Sequence, residues 1–182
     1  MPGLTKACRS GSWVVRHLVT HYPAYRVVCL DKLEYCASLR NLASVAEHPN
    51  FHFCQADITD AVAVRDVLSR FGVDAVLHLA AQSHVDLSFG NSFSFTYANV
   101  FGTHVLLEAA KEHRVRLFIH ASTDEVYGSV DQGAADLLET SILSPTNPYA
   151  ASKAAAEMLV NAYYKSFNLP VIIVRCNNVY GP

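Results

Sequence analysis

No stretch of the 182-residue chain holds the roughly 18 consecutive apolar residues of a membrane span, and Met1–Gly11 has no apolar core of the kind a secretory leader carries. The expectation is a cytoplasmic protein with no membrane partner. Cysteine is sparse and odd in number: Cys8, Cys29, Cys36, Cys54 and Cys176, with no Cys-x-x-Cys pair. That argues against a disulfide framework, and the apolar surroundings of Cys29, Cys54 and Cys176 suit reduced thiols acting as small hydrophobes. Positive charge is not in excess, with 14 Lys+Arg against 16 Asp+Glu and a formal net charge of -2. The basic residues are scattered singly, so nucleic acid is not an expected partner. Metal ligands are also few: His17 and His21 stand four apart, but no third ligand lies beside them, and no metal is expected.

What is present is apolar substance, 51% of residues, enough for one domain over residues 1–182 that needs no staple. Short β-branched runs at Arg26–Asp31, Phe51–Asp57, Ala75–Ala80, Leu117–Ala121 and Val171–Cys176 read as strands. Between them, Ser12–Tyr22, Ser38–His48, Asp60–Phe71, Ser92–His113 and Tyr149–Phe167 repeat apolar residues every three or four positions and read as helices. This alternation predicts an α/β fold, a Rossmann-like doubly wound parallel sheet covered on both faces. Ser129–Pro148 reads as a long loop. His78 and His120, inside apolar strands, are expected to be core histidines satisfied by hydrogen bonds.

In such a sheet ligands bind beyond the carboxyl ends of the strands. Those ends carry Asp31, Asp57-Ile58, Ala80-Ala81-Gln82-Ser83-His84, Ser122-Thr123-Asp124-Glu125 and Asn177-Asn178. Asp31 follows Gly11 by about 20 residues, where a carboxylate takes the ribose hydroxyls of an adenine dinucleotide and repels a 2′-phosphate, favouring NAD over NADP; a simple turn-opening Asp is the alternative. Asp57-Ile58 offers a carboxylate and an apolar wall to an adenine, or a helix cap. Tyr149 and Lys153 share a helix face, so the ammonium is expected to lower the phenol pKa and make Tyr149 a base. Adjacent Asp124 and Glu125 suit paired acid and base work, or a solvated turn before Gly128.

Together DKLEYCASLRNL (Asp31–Leu42), QADI (Gln55–Ile58), HLAAQSHVD (His78–Asp86), NVFGTHVLLEAA (Asn99–Ala110), STDEVYG (Ser122–Gly128), NPYAASKAAAE (Asn147–Glu157) and NNVYGP (Asn177–Pro182) resemble the extended short-chain dehydrogenase/reductases, and within them the nucleotide-sugar 4,6-dehydratases. The resemblance implies NAD as cofactor, bound by Gly11, Asp31, Lys32, Asp57, Ile58, Leu79, Ala80, Ala81, Tyr149 and Lys153. It implies a dTDP- or UDP-glucose substrate near Ser83, His84, Thr123 and Asn178. Thr123, Asp124, Glu125, Tyr149 and Lys153 would be catalytic, with Tyr149 taking the 4-hydroxyl proton, Glu125 the C5 proton, and Asp124 protonating the departing 6-hydroxyl.

The opening departs from that family. Aligning Gly11 with the last glycine of a Gly-x-x-Gly-x-x-Gly turn puts Cys8 and Thr5 where the others stand, and Met1–Ser10 shows no β-branched run. The expectation is a chain truncated at both ends, lacking its first strand and the C-terminal substrate domain, with weakened NAD binding. An inactive fragment acting through protein contacts, as a homodimer or beside a full-length subunit, is the alternative. A nucleotide-sugar epimerase or decarboxylase is the rival among enzymes, disfavoured because neither has an evident use for Asp124 beside Glu125.

Overall fold

The computed structural model describes residues 3–5, 9–34, 37–129 and 136–179, with side chains from residue 10 onward. The elements run β1 (Gly3–Thr5), α1 (Arg9–His21), β2 (Val27–Asp31), a 3-10 segment (Leu39–Val45), β3 (Phe51–Gln55), α2 (Ala61–Phe71), β4 (Ala75–His78), α3 (Val85–Gly90) and α4 (Ser92–Phe95). A π-helical turn (Thr96–Phe101), α5 (Gly102–Glu112), β5 (Leu117–Thr123), a 3-10 turn (Asp124–Tyr127), α6 (Pro148–Phe167) and β6 (Val171–Cys176) follow. All six strands pair in parallel in the order β3-β2-β1-β4-β5-β6, the doubly wound topology.

The expected gap at the centre of the sheet is filled. β1 lies between β2 and β4, with Gly3 opposite Val27 on one side and Ala75 on the other. Three residues of weak strand propensity suffice because the backbone groups of β2 and β4 leave ladders open on both sides, and tertiary pairing outweighs intrinsic preference. Residues 6–8, part of the segment where the glycine-poor turn is expected, lie outside the described residues.

β2 is buried along its whole length, and its side chains alternate between two cores. Val28 and Leu30 join Val64, Leu68, Leu107, Phe118 and Val160 beneath α2, α5 and α6. Val27 and Cys29 join Val15, Val19, Leu42 and Val45 beneath α1 and the 3-10 segment. At the other end of the sheet the cover is one-sided. On β6, Val171 and Ile173 pack on the first core, while Ile172 and Val174 are 49% and 40% exposed. The prediction of cover on both faces therefore holds for β2 and fails for β6 among the described residues.

Local chemistry sets the boundaries. Asp60 caps α2 and Gly72, at φ 58°, ends it; Asn147 caps α6, Pro148 occupies its first turn and Asn168, at φ 54°, ends it. Two helix expectations need correction. Ser38–His48 forms a 3-10 segment instead, opened by the Ser38 hydroxyl. Ser92–His113 is broken by the π-helical turn, which carries Asn99 into the interior at 1% exposure. Gly102 ends that turn at a close approach, since a Cβ there would lie 2.5 Å from Cδ1 of Ile58. The described part of the expected loop, residues 136–147, has neither helix nor strand.

Candidate active site

The carboxyl ends of β2, β3 and β4 border a small open cleft. Ala56, Ile58, Ala80, Ala81 and Ala98 form its walls, and Asp31, Lys32, Glu34, Asp57 and Gln82 its polar rim. The buried Asp31 accepts the Leu33 N–H at 2.7 Å through Oδ1. That bond accompanies a left-handed Leu33 at φ 62°, so Asp31 does open a turn while its carboxylate lines the cleft. Lys32 Nζ stands 2.6 Å from Glu34 Oε1 and 3.2 Å from Asp57 Oδ2. Burial works against its charge, but the two carboxylates prevail and its pKa lies above the ordinary value. Burial likewise pushes the Asp57 carboxyl up, and the Thr59 N–H together with Lys32 brings it below its usual value. Gly11 is buried in the first turn of α1, and Leu79 follows β4 partly buried outside the cleft lining.

The end of β5 carries the second constellation. Thr123 Oγ1 donates to Asp124 Oδ1 at 3.2 Å and accepts the Glu125 N–H at 3.3 Å. Asn147 caps α6 with its Oδ1 and donates through Nδ2 to Glu125 Oε2 at 3.1 Å. One asparagine thus ties the carboxylate to the helix that carries Tyr149. The Tyr149 hydroxyl hydrogen-bonds Thr123 and feels the charges of Glu125 and Asp124. Lys153, 4% exposed, donates to the Ala121 carbonyl at 2.6 Å. The expectation that Lys153 lowers the phenol pKa is corrected here: burial, with Glu125 and Asp124, holds it above 10, and the Thr123 hydrogen bond offsets only part of that.

Sequence reasoning missed the side chains that join the two regions. Gln82 Nε2 donates to Glu34 Oε2 at 2.6 Å across the cleft mouth. Asn99 accepts the Gln82 N–H at 2.7 Å and donates to the Gln82 carbonyl at 3.0 Å and to Ser152 Oγ at 2.8 Å. Ser152 in turn donates to the Tyr149 carbonyl. The available signal was a polar Asn buried in an otherwise apolar helical stripe. Behind the turn, Arg175 on β6 pairs with the fully buried Glu157 at 2.7 Å, donates to Tyr127 Oη at 2.7 Å and to the Glu139 carbonyl at 3.0 Å.

The remaining candidates lie apart or are differently engaged. Ser83, His84 and Asn178 are exposed, His84 at the start of α3 and Asn178 beyond β6. His78 bonds Thr103 Oγ1 at 2.8 Å as expected. His120 departs from expectation: it is fully buried, and neither ring nitrogen has a hydrogen-bond partner among the described residues. Burial, then the nearby Lys153 and His78, keep it neutral, with its pKa well below the ordinary value. His17 and His21 stack at 4.4 Å, and no group of three metal-ligating side chains occurs among the described residues. Cys54 and Cys176 are partly buried thiols and Cys29 is buried in the sheet, and no helix among the described residues is long and apolar enough to cross a membrane.

Known proteins are similar to this chain in sequence and fold. The trifunctional UDP-glucose 4,6-dehydratase/UDP-4-keto-6-deoxy-D-glucose 3,5-epimerase/UDP-4-keto-L-rhamnose-reductase of Arabidopsis thaliana is 55% identical over 173 residues, covering 94% of this chain and 26% of its own length. The dTDP-D-glucose 4,6-dehydratase of Homo sapiens is 52% identical over 172 residues, covering 94% and 48%. The dTDP-glucose 4,6-dehydratase of Streptomyces venezuelae, solved with NAD bound, superposes with a TM-score of 0.94 at 43% identity, over all of this chain and 57% of that one. The chain thus spans about a quarter of the plant relative and about half of the human one. Residues 9–182 match the family model described as GDP-mannose 4,6 dehydratase, and the chain belongs to that family.

Proposed function

We propose that this chain is a single NAD-binding domain, residues 1–182, that carries the acid–base apparatus for dehydrating a nucleoside-diphosphate glucose, dTDP- or UDP-linked, to its 4-keto-6-deoxy sugar. The observation that carries this reading is the convergence of Thr123, Asp124, Glu125 and Tyr149 at one strand end. The cleft residues fit the cofactor's adenosine half: Asp31 would hold the ribose, and Asp57 with Ile58, Ala80, Ala81 and Ala98 would meet the base. NAD, when bound, would supply reversible hydride acceptance. Tyr149 takes the 4-hydroxyl proton, Lys153 holds its helix against β5 through Ala121, and Thr123 hydrogen-bonds the 4-oxygen. The resulting ketone acidifies the C5 hydrogen, which Glu125 removes while Asn147 fixes its second oxygen. Asp124 delivers the proton with which the 6-hydroxyl leaves as water. An epimerase or decarboxylase has no evident need of this second carboxyl. Incubating the chain with NAD and either sugar nucleotide, and following products by NMR, is expected to yield the 4-keto-6-deoxy sugar at an impaired rate, since the chain spans about half the length of the human relative. An epimerised or decarboxylated product would contradict the reading.

The nucleotide-sugar substrate is assigned to the Ser83, His84, Thr123 and Asn178 side of the site, and the location is proposed to be cytoplasmic. A specific observation also favours association with a second copy of the chain. Phe93, Tyr97 and Phe101 stand 86%, 57% and 44% exposed and border, with His104, an apolar groove. Sedimentation velocity is expected to show a dimer that Tyr97→Glu converts to monomer; an unchanged sedimentation coefficient would contradict it.

A further inference from the structure

Asp31 is not the only carboxylate at the ribose end of the cleft. Glu34 lines it too, and its position is fixed from two sides: Oε1 stands 2.6 Å from Lys32 Nζ, and Oε2 accepts Gln82 Nε2 at 2.6 Å. The second bond joins residues 48 apart in sequence. It holds Glu34 across the mouth from the β4 end, so its charge is held over the cleft and not left to swing into solvent. Three carboxylates, Asp31, Glu34 and Asp57, thus line the rim with one ammonium, Lys32, which pairs with Glu34 and Asp57. Among the described residues the rim is net negative, and its groups are partly shielded from water, with Glu34 28% and Asp57 34% exposed. Like charges brought together in such a setting repel more strongly than they do in open solvent.

We propose that Glu34, braced by Lys32 and Gln82, is a second specificity-determining residue that rejects a 2′-phosphorylated dinucleotide independently of Asp31. The proposal rests on the NAD-binding reading above. Its physical content is division of labour: Asp31 accepts hydrogen bonds from ribose hydroxyls, and Glu34 contributes repulsion alone. Replacing its charge therefore changes the affinity for NADP and leaves that for NAD nearly unaltered.

Calorimetric titration of NAD and NADP into the chain, taken to millimolar nucleotide, measures both affinities. Glu34→Gln keeps an amide to face Gln82 and removes the charge; NADP is expected to bind about tenfold tighter while NAD changes less than about threefold. Glu34→Lys is expected to move the NADP-to-NAD ratio further in the same direction, and lower salt to widen the difference in the parent chain. An unchanged ratio in both variants, with NAD bound, would overturn the role of Glu34 alone. Failure of the parent chain to bind NAD at any concentration tested would overturn the cofactor reading and this inference with it.

Discussion

At the end of β2 one ammonium, Lys32, is held between Glu34 and Asp57, whereas at the end of β5 Asp124 and Glu125 form no ion pair among the described residues and take their hydrogen bonds from Thr123 and Asn147. The nearest lysine in sequence to Tyr149, Lys153, donates to a backbone carbonyl. The first end has its ammonium bridged between two carboxylates in a fixed rim, which suits binding. The second keeps two carboxylates beside a phenol whose proton they help to retain, which suits proton movement. One sheet edge thus holds a binding end and a titrating end, linked by Gln82, Asn99 and Ser152.

The comparison breaks most severely where the titrating end is anchored. Arg175→Met leaves Glu157 charged and fully buried, and urea denaturation is expected to register a loss of about 3–5 kcal/mol. Replacing both residues by Met is expected to recover most of it. Gly128→Ala acts on the same turn: at φ 82° its new Cβ would lie 2.0 Å from the Ser144 carbonyl oxygen. A cost of about 1–3 kcal/mol is expected in the same assay.

Titration sharpens the contrast. Burial raises the Tyr149 pKa above its ordinary 10, so folding favours the protonated phenol. That contribution is complete below about pH 10 and is lost as pH rises through the folded value. Tyr149→Phe is expected to flatten the alkaline decline in melting temperature. Glu125→Gln removes one repelling charge, and the ultraviolet titration of Tyr149 is expected to move to lower pH. The binding end has the opposite sign: the lowered Asp57 pKa contributes stability above the usual carboxylate range that is lost as pH falls. With both Asp57 and Lys32 about one-third exposed, Asp57→Asn is expected to cost under about 1 kcal/mol at neutral pH and to flatten the acid limb.

Asp31 was legible because a strand buried on both faces writes a continuous apolar run, residues 27–30, that stops at its first polar residue, whereas Asp57 and Ser122-Thr123 follow mainly apolar runs that His52, Gln55 and His120 interrupt. Tyr149 and Lys153 were legible through helical spacing. β1 was not, because its three residues are held by pairing on both sides instead of by their own preference. The π-helical turn leaves the apolar recurrence of Ser92–His113 nearly intact, so the inward turn of Asn99 leaves little trace. The Glu34–Gln82 bond and the isolation of His120 are consequences of folding across distant segments, which local pattern does not record.

That the two differently charged ends serve one dinucleotide is tested most directly by adding NAD to isotope-labelled chain and mapping amide shifts by NMR. The account predicts simultaneous changes, with one saturation curve, at Asp31, Asp57, Ile58 and Ala81 and at Thr123, Glu125 and Tyr149. Changes confined to one end, or two curves with different midpoints, would contradict it.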